Sequence, residues 1–262
     1  MDIEDVVNHY YNIDKTEFRL FEIDISFNNI VHPESLQSII IIADFYDTSL
    51  EEIIFPSTLK SITFESTLSY SLDKVTFPIN LEVIKFGGFF NEFIDNIIFP
   101  PNLKIIIFGN FFNKSLDKVT FPILLQSIIF GQCFDQSLDN VTFPANLQDI
   151  NFGFDFNQPL DKINFPASLV SIEFGYCFNQ PLYILPPSLK IITFGVSYNQ
   201  SLDNLPNTIE KLIFHAIYRD ITNLPCSIKQ IQLLGYVESS MTKLLKIPYG
   251  CEILDKNMRK IE

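Results

Sequence analysis

Residues 121–137 read FPILLQSIIFGQCFDQS, and nearly the same sequence occurs on both sides of this stretch. Residues 99–115 read FPPNLKIIIFGNFFNKS, and residues 143–159 read FPANLQDINFGFDFNQP. A sequence that repeats with a period of about 22 residues is typical of a solenoid, in which each repeat forms one coil that packs on its neighbours. This stretch therefore predicts a repeat architecture.

Prolines mark successive repeats along the chain. The series is Pro33, Pro56, Pro78, Pro100, Pro122, Pro144, Pro166, Pro186, Pro206, Pro225 and Pro248. The period is about 22 residues as far as Pro166 and shortens to about 19–20 residues near the C-terminus. The best-kept unit reads LDxVxFPxxLxxIxFGxxFNxxL. We predict a mainly β solenoid of about ten or eleven coils over residues 31–249.

Two segments of each unit have the spacing of a β-strand. They are LxxVxFP, as in residues 138–144, and LxxIxFG, as in residues 147–153, where apolar residues two apart point to one face. The glycine after the second segment indicates a positive φ or a close backbone approach. Only the first segment shortens in later repeats, so we predict parallel β-sheets with the LxxIxFG strands in the main, concave sheet.

Two columns of residues follow the glycines. The aromatic column, which we expect to stack as a spine inside the solenoid, is Phe90, Phe112, Phe134, Phe156, Phe178, Tyr198 and Tyr218. The next residue is polar, and we expect its side chain to bond backbone groups at the turn between coils. This polar column is Asn91, Asn113, Asp135, Asn157, Asn179 and Asn199.

The two ends of the chain do not match the repeat. Helical spacing near residues 3–10 and alternating residues 21–27 predict a cap of one short helix plus a strand over residues 1–30. Ile253, Leu254, Met258 and Ile261 have helical spacing, which predicts a C-terminal cap helix over residues 250–262. Such caps cover the open sheet edges and the apolar core.

Composition limits the partners and the compartment. A net charge of −13 and a pI near 4.6 disfavour binding to nucleic acid or to an anionic membrane surface. No stretch has the roughly 20 consecutive apolar residues of a membrane span, and the acidic N-terminus is unlike a signal peptide. Four cysteines form no CxxC pair. We expect a reduced, soluble, intracellular protein of the cytoplasm, which is the host cytoplasm if the chain is viral.

The segments FNQPL at 156–160, FNQPL at 178–182, YNQSL at 198–202 and LPPSLKIITFG at 185–195 resemble FNIP repeats. These are leucine-rich-repeat-like units of social amoebae and of giant viruses that infect amoebae. The resemblance covers residues 33–233 and implies a leucine-rich-repeat-type solenoid with an interaction role. Many members resemble F-box substrate receptors of ubiquitin ligases, but residues 1–30 have no LPxE-like opening, which argues against that role.

Candidate chemistry is sparse. His9, His32 and His215 are scattered, no catalytic or zinc motif occurs, and we expect no enzyme activity and no cofactor. One acidic column, which could bind a cation such as calcium or cap turns, is Asp73, Asp95, Asp117, Asp139, Asp161 and Asp203. Turn capping is the better interpretation, because aspartate commonly serves turns and the calcium-binding β-roll consensus is absent.

The remaining candidate site is the outward face of the LxxIxFG strands. The predicted interaction patch is Val83, Lys85, Ile105, Ile107, Ile129, Asn151 and Glu173. Grouped apolar side chains on a solvent face indicate a contact surface, although β-branched residues also favour strands for their own sake. We predict a repeat scaffold that binds an unidentified protein partner; the alternative is a structural protein that packs against copies of itself.

Overall fold

The computed structural model describes residues 10–20, 27–42, 50–65 and 72–261. Its strands form a twelve-stranded sheet in which consecutive strands pair in parallel. The strands are β1 (Glu17–Leu20), β2 (Ser38–Ile41), β3 (Ser61–Phe64), β4 (Val83–Lys85), β5 (Ile105–Ile107), β6 (Ser127–Ile129), β7 (Asp149–Asn151), β8 (Ser171–Glu173), β9 (Ile191–Phe194), β10 (Lys211–Phe214), β11 (Gln230–Leu233) and β12 (Glu252–Leu254). The described helices are α1 (Val237–Met241) and two 3-10 helices, Phe27–Asn29 and Leu50–Glu52. The predicted mainly β solenoid is confirmed.

Repeat length sets the strand register. Ile106 pairs with Ile84 before it and with Ile128 after it, each one full-length repeat away. Ile172 and Ile192 are separated by one of the shortened repeats and still pair in register. The residues lost in the later repeats therefore come from outside the sheet.

The LxxVxFP segments form turns. In one coil the N–H of Val141 donates to the carbonyl of Leu138 at 3.1 Å, and the N–H of Leu147 donates to that of Pro144 at 3.1 Å. The same two bonds recur in neighbouring coils, so these backbone groups are satisfied locally and make no ladder. The strands of the described residues accordingly belong to one sheet, where the two segments of each unit suggested two.

Inward residues of every coil merge into one core. In a representative coil, Leu103, Ile106 and Phe108 are all buried, and the matching residues of the other coils are buried too. Full burial of one such side chain contributes roughly 1.5–3 kcal/mol. Because each coil packs mainly on its two neighbours, stability accumulates coil by coil.

Phenylalanine rings stack in two adjacent columns inside this core. Along the predicted spine, the ring centroids of Phe112 and Phe134 are 6.1 Å apart, with their planes 5° from parallel. In the strand column the centroids of Phe108 and Phe130 are 5.4 Å apart. Within one coil, Phe130 and Phe134 stack at 4.0 Å. The spine continues through Phe178 to Tyr198, at 6.0 Å.

Tyr218 does not join the spine, so its assignment to that column was wrong. Its side chain is 51% exposed, and Ile217 is buried instead. The N–H of Ile217 donates to the hydroxyl of Ser240 in α1 at 3.1 Å, which holds this turn in a different path. His215 replaces the usual glycine in this coil, and its N–H continues the ladder by bonding the carbonyl of Phe194.

The glycine column marks the closest approach between coils. A Cβ atom built on Gly131 would lie 1.9 Å from the carbonyl oxygen of Gly109, and one on Gly153 would lie 1.6 Å from that of Gly131. Gly109, Gly175 and Gly195 have the same kind of contact with the preceding coil. Among the described glycines a positive φ occurs at Gly250 alone, so close approach is the reason for the column. We call this side of the solenoid the glycine edge.

The N-terminal end is closed by a hairpin. β1 pairs with β2, so residues 17–20, predicted as cap, already belong to the first coil. Beyond β1 the chain folds back, and the N–H of Arg19 donates to the carbonyl of Tyr10 at 2.8 Å. The side-chain oxygen of Asn12 accepts the N–H groups of Thr16 and Glu17 in the intervening turn. The predicted helix and strand fall largely on residues 1–9 and 21–26, outside the described residues.

The C-terminal end is a strand and a turn, so the predicted cap helix was wrong. β12 pairs with β11, because the open edge offers unpaired backbone groups that a strand can satisfy. The chain then reverses at Asp255, whose carboxylate accepts the N–H groups of Asn257 and Arg259, both at 2.8 Å. These backbone bonds lower the pKa of Asp255. Ile261 closes the edge by donating its N–H to the carbonyl of Ile253 at 2.8 Å.

Phe130→Ala should lower the free energy of unfolding by about 3–5 kcal/mol, because it removes a buried ring that stacks within and between coils. Urea denaturation followed by circular dichroism measures the loss. Ile13→Ala, at a fully exposed position, is the control and should change stability by less than about 0.5 kcal/mol. A loss below about 1 kcal/mol for Phe130→Ala would contradict the inward placement of this ring.

Gly131→Ala should destabilise the solenoid by at least roughly 1–3 kcal/mol, because the added methyl group overlaps the backbone of the preceding coil. Gly88→Ala is the matched control: no atom lies within 4 Å of its added Cβ. That substitution should be neutral or stabilise by about 0.4–1 kcal/mol. Equal unfolding midpoints for the two variants would show that close approach is not the constraint.

Candidate interaction surface

The predicted polar column forms a hydrogen-bonded ladder between coils. The side-chain oxygen of Asn113 accepts the N–H of Asp135 at 3.0 Å, and that of Asp135 accepts the N–H of Asn157 at 2.8 Å. Equivalent bonds of 2.8–2.9 Å link Asn91 to residue 113, residue 157 to 179, and residue 179 to 199. The ladder supplies backbone partners at the turn, which is a structural role.

The predicted interaction patch lies on the outward face of β4–β8. Strand pairing places Ile105 beside Val83, and Ile107 between Lys85 and Ile129. The second of these columns continues through Asn151 to Glu173. The structure therefore brings all seven predicted residues onto one continuous face.

Burial differs within this patch. Lys85 and Glu173 are exposed, whereas the aliphatic members Val83, Ile105, Ile107 and Ile129 and the amide Asn151 are half-buried. Strand pairing sets Val83 beside Ile105 and Ile107 beside Ile129, and each side chain covers part of its neighbour. The patch therefore presents a shallow apolar surface, with the charged side chains of Lys85 and Glu173 at its two ends.

A second group of exposed residues lies on the glycine edge and was not predicted. Phe89 and Phe111 are 61% and 49% exposed, and their rings stack with centroids 5.1 Å apart. Phe154 and Tyr176 form a similar exposed pair two coils further on, at 4.6 Å. The signal in the sequence was an aromatic residue one or two places after the glycine, before the buried spine position.

A third group of exposed apolar residues lies on the opposite side, at the prolines. Ile54, Ile79, Ile98 and Ile123 are each more than 60% exposed, although the neighbouring phenylalanines and prolines are mostly buried. Here Asn102 donates its side-chain N–H to the carbonyl of Ile79 at 3.0 Å, which ties the turns of adjacent coils together. We call this side the proline edge.

Two repeat-family models match the chain. The FNIP repeat model matches residues 134–177 and 178–216. The model of the BspA-type leucine-rich repeat region, in six copies, matches residues 12–137. Residues 134–216 thus match the FNIP repeat.

Two solved structures share the leucine-rich-repeat fold. CroV588, a giant-virus protein described as a circular leucine-rich-repeat structure, is 25% identical with a TM-score of 0.71 over 91% of this chain and 39% of that chain. A chain of the Drosophila Toll–Spatzle complex is 13% identical with a TM-score of 0.50, over 92% of this chain and 40% of that one. The chain thus spans about two-fifths of each of these proteins. No curated protein sequence matches it.

The FNIP motif residues have structural positions in this solenoid. In FNQP at residues 156–159, Phe156 is a buried ring of the spine and Asn157 is a member of the ladder. The following glutamine also takes part, because the side chain of Gln158 donates to the carboxylate of Asp135 at 3.0 Å. The motif therefore encodes the turn between coils and leaves the exposed positions free to vary.

Three members of the aspartate column do not cap turns as predicted. The N–H groups of Asp117, Asp139 and Asp203 are accepted by the hydroxyl of the serine two residues earlier, at 3.1–3.2 Å. Their own carboxylates bond no backbone N–H among the described residues, so the prediction was wrong for these three. Lys162 lies 3.7 Å from the Asp139 carboxylate and partly balances its charge.

The described part of the chain holds no group of three or more histidine, cysteine, aspartate or glutamate side chains placed to bind a metal ion. Its helices are all too short or too polar to cross a membrane. The four cysteines are free thiols, and burial raises the pKa of Cys133, Cys177 and Cys251.

Asp135→Ala should lower the free energy of unfolding by about 1–3 kcal/mol, because the N–H of Asn157 loses its partner in a half-buried turn. Asp135→Asn is the matched control, since an amide oxygen accepts the same bond elsewhere in the ladder. It should stay within about 0.5 kcal/mol of the parent protein. If urea denaturation gives equal losses for both variants, charge matters at this position and the accepted hydrogen bond does not.

Proposed function

We propose that the chain is a non-catalytic scaffold that binds a partner protein through the outward face of β4–β8 and the adjoining glycine edge. The observation that carries this proposal is that the same coils carry apolar groups on both surfaces. Val83 and Ile105 lie on β4 and β5, and the same two coils carry the exposed, stacked Phe89 and Phe111.

The composition of this surface suits a protein interface. Interface centres are enriched in aromatic residues and poor in charge, and a few aromatic anchors usually dominate the binding energy. Here the apolar row lies between Lys85 and Glu173, so a charged side chain stands at each end of it. Each residue also stands on a backbone held by hydrogen bonds to two neighbouring coils, which lowers the entropy lost on binding.

The alternative is self-assembly. The ends of the solenoid give little support to assembly by end-to-end stacking. An unpaired edge strand is a template for another chain, but the described chain folds back along both β1 and β12. Copies that stacked end to end would have to displace these returns. Self-association would therefore need a lateral face such as the proline edge.

The triple variant Ile105→Asp/Ile107→Asp/Ile129→Asp should abolish partner capture, because three charges then replace the apolar row. The tagged protein is used for quantitative co-purification from an amoebal lysate, after circular dichroism has shown native folding. Sedimentation velocity of the purified protein measures self-association in parallel.

The matched control is Ile79→Asp/Ile98→Asp/Ile123→Asp, which adds the same charges on the proline edge. It should capture the partner as well as the parent protein does. Loss of capture in this control, with capture kept in the sheet variant, would contradict the assigned face. Concentration-dependent sedimentation of the parent, without any captured protein, would contradict partner binding and favour self-assembly.

A further inference from the structure

A groove runs along the glycine edge beside β6–β9. Its volume is about 400 Å³, within the range of about 300–1,000 Å³ typical of ligand sites. Its floor is formed by residues without side chains, namely Gly131, Gly153, Gly175 and Gly195. Coil packing requires these glycines, so the fold itself leaves the groove open.

One wall of the groove is the pair Phe154 and Tyr176. Their planes are 7° from parallel, and both rings are more than 40% exposed. The equivalent position is Gly88, Asn110 or Gln132 in earlier coils. Packing of the solenoid therefore does not require aromatic residues here, and the stacked pair offers an occupant its outer ring faces and its edges.

The groove lining also carries the carboxylate of Glu173. This exposed carboxylate forms no ion pair with any described residue. The described lining holds no lysine or arginine, and His215 is its one imidazole. An occupant with positive charge complements this site.

We propose that the groove binds an arginine side chain of the partner protein, an assignment that rests on the proposed function. The guanidinium plane stacks on the Phe154–Tyr176 pair and donates two hydrogen bonds to the Glu173 carboxylate. Arginine fits both demands, because its guanidinium is planar, stacks on aromatic faces and pairs with carboxylates in a two-pronged geometry. A lysine ammonium, as a compact point charge, uses the aromatic wall less well.

Fluorescence anisotropy with short labelled peptides tests this assignment on the full chain. The probes are three mixed-sequence peptide pools of equal length that differ in one fixed central residue: arginine, lysine or glutamine. The arginine pool should bind at least about tenfold more tightly than the glutamine pool, and also more tightly than the lysine pool. Amide shifts at the four floor glycines in NMR spectra should locate the bound peptide.

Four variants separate the site from general electrostatics. Glu173→Gln and Tyr176→Ala should each weaken binding of the arginine pool about tenfold or more. Asp161→Asn removes an exposed carboxylate outside the groove and outside the strands, and Tyr183→Ala removes an exposed ring outside the groove. Both controls should leave the affinity unchanged within about twofold.

Several outcomes would overturn the assignment. They are equal affinity of the three pools, equal losses in Glu173→Gln and Asp161→Asn, and self-association of the parent that Tyr176→Ala abolishes. The last would make a second copy of the chain the occupant. If the parent still captures a partner that Glu173→Gln and Tyr176→Ala also capture, the groove assignment fails while the proposed scaffold function stands.

Discussion

Backbone contact between coils at the glycine edge constrains the rest of this solenoid. The carbonyl oxygen of one glycine lies within 2 Å of where a Cβ of the next would stand, so the coils cannot separate or slip without losing that fit. At this spacing the strands pair in register and the rings of Phe112 and Phe134 stack. The amide of Asn113 then reaches the next coil. The strand pairing, the stacked rings and the side-chain hydrogen bonds all depend on the same fixed distance between neighbouring coils.

The same constraint divides the repeat into fixed and free positions. Inward apolar residues, the glycines and the ladder amides each have a neighbour of the same kind in the next coil, so a change at one disturbs two interfaces. The outward strand positions and the one or two residues after each glycine have no such requirement. They change from Lys85 to Ile107 to Glu173 along one face, and they include the exposed aromatic pairs. The exposed surface can therefore differ from coil to coil without any change in fold.

The positions of residues that recur in every repeat could be predicted from the sequence. The strand around Ile106, the ring of Phe134 and the amide of Asn157 occupy predicted positions, because each repeats in every coil and its environment repeats with it. Predictions failed where context departs from the repeat. Tyr218 turns outward because its coil contacts Ser240, and residues 252–254 form a strand because they meet an open sheet edge. Neither contact can be deduced from the spacing of apolar residues.

The repeat period in the sequence was enough to predict a parallel solenoid with its core columns and its spine, because a period is visible in one dimension. The sequence also indicated the outward face of the strands as a candidate surface. Which apolar residues stay in solvent became visible only in the folded chain, which places two groups of them on the two edges. The reason is geometric: exposure depends on how the turns of successive coils cover one another. The groove beside Phe154, Tyr176 and Glu173 likewise exists only because different coils bring a bare backbone floor, an aromatic wall and a carboxylate together.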